Sequence, residues 1–203
     1  MDEPTSVPFH SHDGLVRAIF GVPQHAAAEL RAVLPPALLE QLDLDTLTRV
    51  EASFVDETLR GSAADLLYRV RLRDGRTLCI YFLIEHQSAH DPGLPLRLLG
   101  YLTRIWERHA REREGTARLP PILPIVIHHG PRPWPGPRSF AAALVESVAH
   151  PHGSAAAPLD FEFLVDDLAA IDDAELLVRG RDAIAKLTWL ALRNSRDHPR
   201  FFC

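Results

Sequence analysis

Two carboxylates and an amide, Asp65, Glu85 and Gln87, lie at the ends of two strand-like runs, Asp65 to Leu72 and Thr77 to Gln87. Runs this apolar seldom carry acids unless the acids hold something, and a divalent metal is the expected partner. Hydrolysing a phosphodiester needs a water deprotonated near neutral pH and positive charge against the nonbridging and leaving oxygens. Magnesium held by one or two carboxylates, with coordinated waters left over, supplies both. Asp65 and Glu85 would be the ligands, the His86 carbonyl would complete the set, and manganese or calcium could replace magnesium. Gln87 can be neither base nor cation, so its role would be to orient the attacking water or a phosphate oxygen. Blander readings exist: Asp65 could simply begin a strand, and Glu85 could pair with Arg69 or Arg71.

The elements that must position these groups form a hairpin around Arg73-Asp74-Gly75. Strand side chains alternate between faces, and Leu66, Tyr68, Val70 and Leu72 share one face as Leu78, Ile80, Phe82 and Ile84 share another. A two-residue turn would pair even positions with odd ones and set Arg69 and Arg71 against Ile80 and Leu78. A three-residue loop with Gly75 at the left-handed position keeps even with even and makes Leu72 and Arg76 the closing pair. That register predicts Asp65 opposite Leu83. Glu85 becomes its diagonal neighbour, with beta carbons roughly 7 to 8 Å apart, and Gln87 follows on the same face.

The 203-residue chain can bury about two thirds of its unfolded surface in one core. Its 46% hydrophobic content excludes wholesale disorder. The longest apolar run, Leu78 to Ile84, is too short to cross a bilayer, and the acidic start Met1-Asp2-Glu3 is unlike a signal peptide. Cys79 and Cys203 form no paired motif, so a reducing, cytoplasmic setting is expected. The net charge of -5 argues against a wholly electrostatic nucleic-acid binder. Yet 11 of the 22 Lys and Arg, and only 7 of the 27 Asp and Glu, lie between Arg60 and Arg118. Such asymmetry suits a local phosphate-facing surface.

Along the chain, a tail to residue 10 precedes a helix from His12 or Asp13 to Phe20, which resumes after Gly21-Val22-Pro23 and runs to Leu34. A short helix is expected over 37–42, a strand over 46–54, then the hairpin, a helix over 94–113 and a buried strand over 122–129. A loop over 131–137, a helix over 139–148, a linker over 150–158 and a mostly helical stretch over 173–193 complete the reading. On the 94–113 helix, Arg97, Arg104, Arg108 and Arg111 fall in one stripe, with Leu98, Leu102, Ile105 and Trp106 expected to pack. The stripe would either contact DNA phosphates or form a solvated face. Asp13 could be an outer-shell acid of the site or a first-turn acid favouring the helix dipole; Glu51 and Asp56 are weaker candidates. The eleven histidines include the pairs His10/His12, His128/His129 and His150/His152, but their spacing supplies no zinc set.

Several ordered motifs carry a resemblance: His12-Asp13-Gly14-Leu15-Val16-Arg17, Ser53-Phe54-Val55-Asp56-Glu57, Asp65 to Val70, Leu83-Ile84-Glu85-His86-Gln87-Ser88, Tyr101 to Glu107, and Leu123 to Gly130. Together they resemble the Rpn group of recombination-promoting nucleases, also catalogued as YhgA-like transposases, within the PD-(D/E)XK nuclease superfamily. The resemblance spans roughly residues 10 to 180. It implies an α/β, restriction-endonuclease-like core, with a central mixed sheet containing an antiparallel meander flanked by helices. It makes Asp65 the central aspartate and Glu85 the second acid, with His86 between and Gln87 where many members have lysine. Expected function is a magnesium-dependent DNA endonuclease in recombination or transposition, with DNA as partner and room for a homodimer. The alternative is a noncatalytic relative that binds DNA or a protein through the same fold. Residues 11–150 would form the nuclease-like core, and 151–203 a linker and helical segment, shortened relative to relatives of this type.

Overall fold

The computed structural model describes residues 11–50, 66–74, 80–87, 89–112, 119–144 and 160–194, the side chains of 11–13 and 80–87 excepted. Helices α1 (Ser11–Phe20) and α2 (Pro23–Val33) meet at Gly21, where a beta carbon would collide with the Arg17 carbonyl oxygen. Pro23 in the first turn of α2 costs no intrahelical bond and fixes the new start. A single turn, α3 (Pro36–Leu39), then leads into β1 (Leu42–Val50). Strands β2 (Leu66–Leu72) and β3 (Ile80–Gln87), helix α4 (Leu94–Glu112) and strand β4 (Ile122–His128) follow. The chain ends with β5 (Leu164–Asp167), α5 (Asp173–Val178) and α6 (Ala183–Asn194).

The five strands form one mixed sheet in sequence order. β1, β2 and β3 make the expected antiparallel meander, whereas β4 runs parallel to β3 and β5 parallel to β4. Alternation sorts the side chains onto two faces. Leu66, Tyr68 and Val70 of β2, with Ile125 and Ile127 of β4, join Phe20, Leu30 and Trp189 of the helices in one core. Val126 joins Leu94, Leu98 and Tyr101 of α4, together with Phe163, in a second core. The sheet is therefore covered by α1, α2 and α6 on one side and by α4 on the other.

Several expectations are corrected. The hairpin keeps even with even, but Leu66 pairs with Ile84 and Val70 with Ile80, two residues away from the three-residue-loop register. Registers differing by two put the same side chains on the same face, so alternation cannot separate them. Turn geometry had to decide, and Arg73 does not serve the hairpin alone, since its N–H donates to the Gln41 carbonyl at 2.9 Å beside β1. β1 starts at Leu42, where a short helix was expected to end. Of the expected 139–148 helix, residues 139–144 form one 3-10 turn, Ala141–Ala143, since Ser139 bridges to Glu162 and Phe140 N–H donates to the Phe161 carbonyl, and residues 145–148 lie outside the described residues. β5 was not foreseen. It and α6 belong to the same sheet and core as the rest, so the core does not end at residue 150. Gly180 and the Asp182 cap, which accepts from Ala185 N–H at 2.9 Å, divide the last helical stretch.

The main core carries a charged network. Glu29 of α2 is fully buried and accepts from Trp189 Nε1 at 2.6 Å. Asp166 of β5, also buried, takes Arg179 at 2.7 Å, and that guanidinium stacks over the Trp189 ring at 4.8 Å. Burial pushes the Glu29 carboxyl well above the usual carboxylate range, and the negative Asp166 adds to this, against the opposing pull of Arg179. Burial and the neighbouring Asp166 thus favour the protonated form of Glu29. In the unfolded chain Glu29 ionises near 4.5, so unfolding releases a proton as the pH rises through the window above that value. Stability supplied by this group is full below the window and declines through it. Denaturation midpoints measured from pH 5 to 8 are expected to fall with pH for the wild type and to fall less for Glu29→Gln, which keeps an acceptor for Trp189 but has no proton to lose.

Candidate functional site

β3 is antiparallel to β2 and parallel to β4, so its C-terminal end meets the start of β2 on one side and the ends of β4 and β5 on the other. In open sheets, the C-terminal ends of parallel strands are where loops diverge and ligands bind. Here Gln87 is the register partner of His128, and His128 of Asp167. Glu85 and His86 stand beside Val126 and Ile127.

The segment after β4 folds back over this edge. Trp134 N–H donates to Asp167 Oδ2 at 2.7 Å, and its indole N–H donates to the Pro137 carbonyl at 3.1 Å. The Trp134 ring lies edge-on to His128 at 5.2 Å and to His90, ahead of α4, at 5.4 Å. Gly136 permits that packing, since a beta carbon there would press into both His90 and Trp134. His128 is 2% exposed; its Nε2 lies 3.0 Å from the Arg132 carbonyl, while its Nδ1 has no hydrogen-bond partner among the described residues.

Asp65 lies outside the described residues, as do Glu51, Asp56, His10, His150 and His152. Glu85, His86 and Gln87 end β3 as expected. Asp13 falls in the first turn of α1. Among the described residues no group of three His, Cys, Asp or Glu could hold a metal.

The arginine stripe of α4 is corrected in position. The buried row is Leu94, Pro95, Leu98, Tyr101 and Leu102, with Ile105 and Trp106 only half-buried. At about 100° per residue the arginines lie about 100° from that row, on the flank of the helix and not opposite it. Arg97 and Arg108 are accordingly half-buried and bonded to Asp91 and Glu112. Arg104 is half-buried against the Gly100 carbonyl, and Arg111 is exposed. Exposed arginines missed by the stripe stand on β2: Arg69 and Arg71 occupy the face opposite the main core. The sequence reading also missed Trp134, His90 and Asp167 as companions of His128; an aromatic in the Pro131–Pro137 loop after a buried His-His end was the available signal.

The family model described as "Putative transposase, YhgA-like" matches residues 10–201. The chain belongs to this family. It is 33% identical over 183 residues to the recombination-promoting nuclease RpnD of Escherichia coli O157:H7, covering 90% of this chain and 67% of the relative. It is 28% identical over 177 residues to the recombination-promoting nuclease RpnA of Escherichia coli K12, covering 87% and 58%. The inactive recombination-promoting nuclease-like protein RpnE of that strain is 29% identical over 194 residues, covering 95% and 61%. The chain thus spans about three fifths to two thirds of the length of these relatives. No solved structure matches it. No helix among the described residues is long and apolar enough to cross a membrane.

The Trp134 anchor gives a direct check on this edge. Asp167→Ala leaves the Trp134 N–H without its acceptor and removes the bond to Ala169 N–H at 3.2 Å. A stability loss of about 1–3 kcal/mol is expected, with faster amide exchange at Trp134 by hydrogen-exchange measurement.

Proposed function

We propose that this chain is a metal-dependent DNA endonuclease of the PD-(D/E)XK type that acts in recombination. The observation that carries the proposal is the register Leu66↔Ile84. Asp65 directly precedes Leu66 and Glu85 directly follows Ile84, so covalent connection alone keeps both acids' alpha carbons within about 3.8 Å of a paired residue. The names of RpnD and RpnA, both recombination-promoting nucleases, support the same reading.

The donor set fits a hard cation. Two carboxylates and a backbone carbonyl are all-oxygen ligands, the set that magnesium takes while keeping several waters. The other close pair of acids, Glu29 and Asp166, does not fit: Arg179 and Trp189 already occupy it. When bound, the metal would lower the pKa of a coordinated water and offset charge on the phosphate. Asp65, Glu85 and the His86 carbonyl would hold it, and Gln87 would orient the attacking water.

DNA would approach on the α4 side of the sheet. Phosphate contacts would come from exposed arginines, Arg111 of α4 and Arg69 and Arg71 of β2, and from the half-buried Arg104. Arg97 and Arg108 serve the fold first through their ion pairs.

A second reading is a nuclease fold that binds DNA or a protein without cutting. Glutamine in place of lysine favours it, as does similarity to RpnE, named inactive. Nicking of supercoiled plasmid by the purified chain in magnesium, absent in EDTA and reduced at least about a hundredfold in Asp65→Ala, is expected of the enzyme. Equal activity of Asp65→Ala would reject it, and binding without metal-dependent nicking would favour the second reading. For the DNA surface, Arg111→Ala is expected to lower the slope of log affinity against log salt by about one phosphate contact's worth, read by fluorescence anisotropy.

A further inference from the structure

The segment just beyond β4, Pro131-Arg132-Pro133-Trp134-Pro135-Gly136-Pro137-Arg138, has a proline at every second position. Each proline fixes its own φ and pushes the residue before it toward an extended conformation. The chain is therefore stiff before any tertiary contact forms. Tertiary contacts then hold it along its length. The Arg132 carbonyl lies 3.0 Å from His128 Nε2 and, being an acceptor only, takes its hydrogen. Trp134 N–H donates to Asp167 and its indole N–H to the Pro137 carbonyl. The Arg138 carbonyl accepts from Phe163 N–H at 3.0 Å, next to the Ser139–Glu162 bridge. The segment thus leaves the end of β4, is tied to the end of β5 and turns back beside β5.

What this segment presents to solvent is positive charge. Arg132 and Arg138 are exposed, and no acid lies between them. Among the described residues no ion pair engages either guanidinium; Arg138 Nη1 has only a long bond, 3.4 Å, to the Val165 carbonyl. The prolines have no N–H to offer, and both N–H groups of Trp134 are taken. The two guanidinium groups are left as the segment's charged donors, and a guanidinium fork matches the oxygens of a phosphate. A solubility role asks for charge but not for a fixed backbone. A binding role gains from one, because the ordering cost of binding is then confined to the side chains.

The placement also fits. His128, which holds the Arg132 carbonyl, ends β4 and is the register partner of Gln87 at the end of β3. Resting on the nuclease reading above, we propose that the Pro131–Arg138 segment is a preformed DNA-binding arm, in which Arg132 and Arg138 each contact a backbone phosphate of DNA seated at the C-terminal edge of the sheet. The arm reads no bases. It adds two phosphate contacts to those of β2 and α4 and fixes where the duplex lies along this edge.

Fluorescence anisotropy with a short labelled duplex, in calcium and across a salt series, tests the arm. Arg132→Ala and Arg138→Ala are each expected to lower the slope of log affinity against log salt by about one, and the double variant by about two. Affinity at low salt should fall about tenfold per arginine. Arg132→Lys keeps the charge and should keep the slope. Arg31→Ala removes an exposed arginine from α2, on the main-core side of the sheet, and should change neither quantity. Pro133→Gly combined with Pro135→Gly keeps both charges and loosens the backbone; affinity should fall about three- to tenfold with the slope unchanged.

A wild-type slope in the double arginine variant, or an equal loss in Arg31→Ala, would overturn the proposal while leaving the nuclease reading intact. Wild-type affinity in the double glycine variant would overturn the preformed character of the arm. If the wild type neither binds the duplex nor nicks plasmid in magnesium, the nuclease reading fails and this proposal with it.

Discussion

Strand β3 has neighbours of opposite sense, and that arrangement governs what the rest of the molecule can do. An antiparallel neighbour brings its beginning to the end of β3, and a parallel neighbour brings its end there. The sheet uses both, with β2 on one side and β4 on the other. As a result, the approach to Leu66, the Glu85-His86-Gln87 end and the exits of β4 and β5 fall along one edge of one sheet. An all-antiparallel meander would have put the His128 end at the far side. The parallel pairing requires a long crossover, and α4 supplies it while covering the sheet face that carries Val126.

The two faces solve different problems. The main core accommodates two buried acids: burial favours the protonated form of Glu29, which accepts from Trp189, and Asp166 is matched by Arg179. Such an arrangement adds little net stability, because desolvation offsets attraction, but it ties α2, β5 and α6 together by directional bonds. The α4 face carries a smaller core, and Arg69 and Arg71 of β2 are exposed on that side of the sheet.

Much of this was legible in the residues, for identifiable reasons. The even-numbered apolar sets of β2 and β3 gave the facing of the hairpin, and the 3.6-residue period gave α4 almost to its ends. The register was not legible, since a shift of two preserves every facing, and only pairing with β1 and β4 distinguishes the alternatives. β5 escaped because its four residues, Leu164–Asp167, carry two acids that read as solvent-facing. Asp166 is buried where Arg179, at the end of α5, pairs with it and Glu29 of the distant α2 lies beside it. The arginine stripe was placed correctly on the wheel but judged against the wrong apolar row. Tyr101, buried in place of Ile105 and Trp106, rotates the packed face toward the arginines and draws Arg97 and Arg108 into ion pairs.

Under the proposed nuclease reading, Gln87 would stand where many members of the superfamily have lysine. A lysine at the end of β3 would supply its own charge and could work on a strand with indifferent neighbours. A glutamine carries no net charge, so its usefulness depends on orientation, and orientation has to come from what stands beside it. On that reading the demand would shift from charge to geometry, at an edge where the ends of β3 and β4 lie side by side in the parallel register.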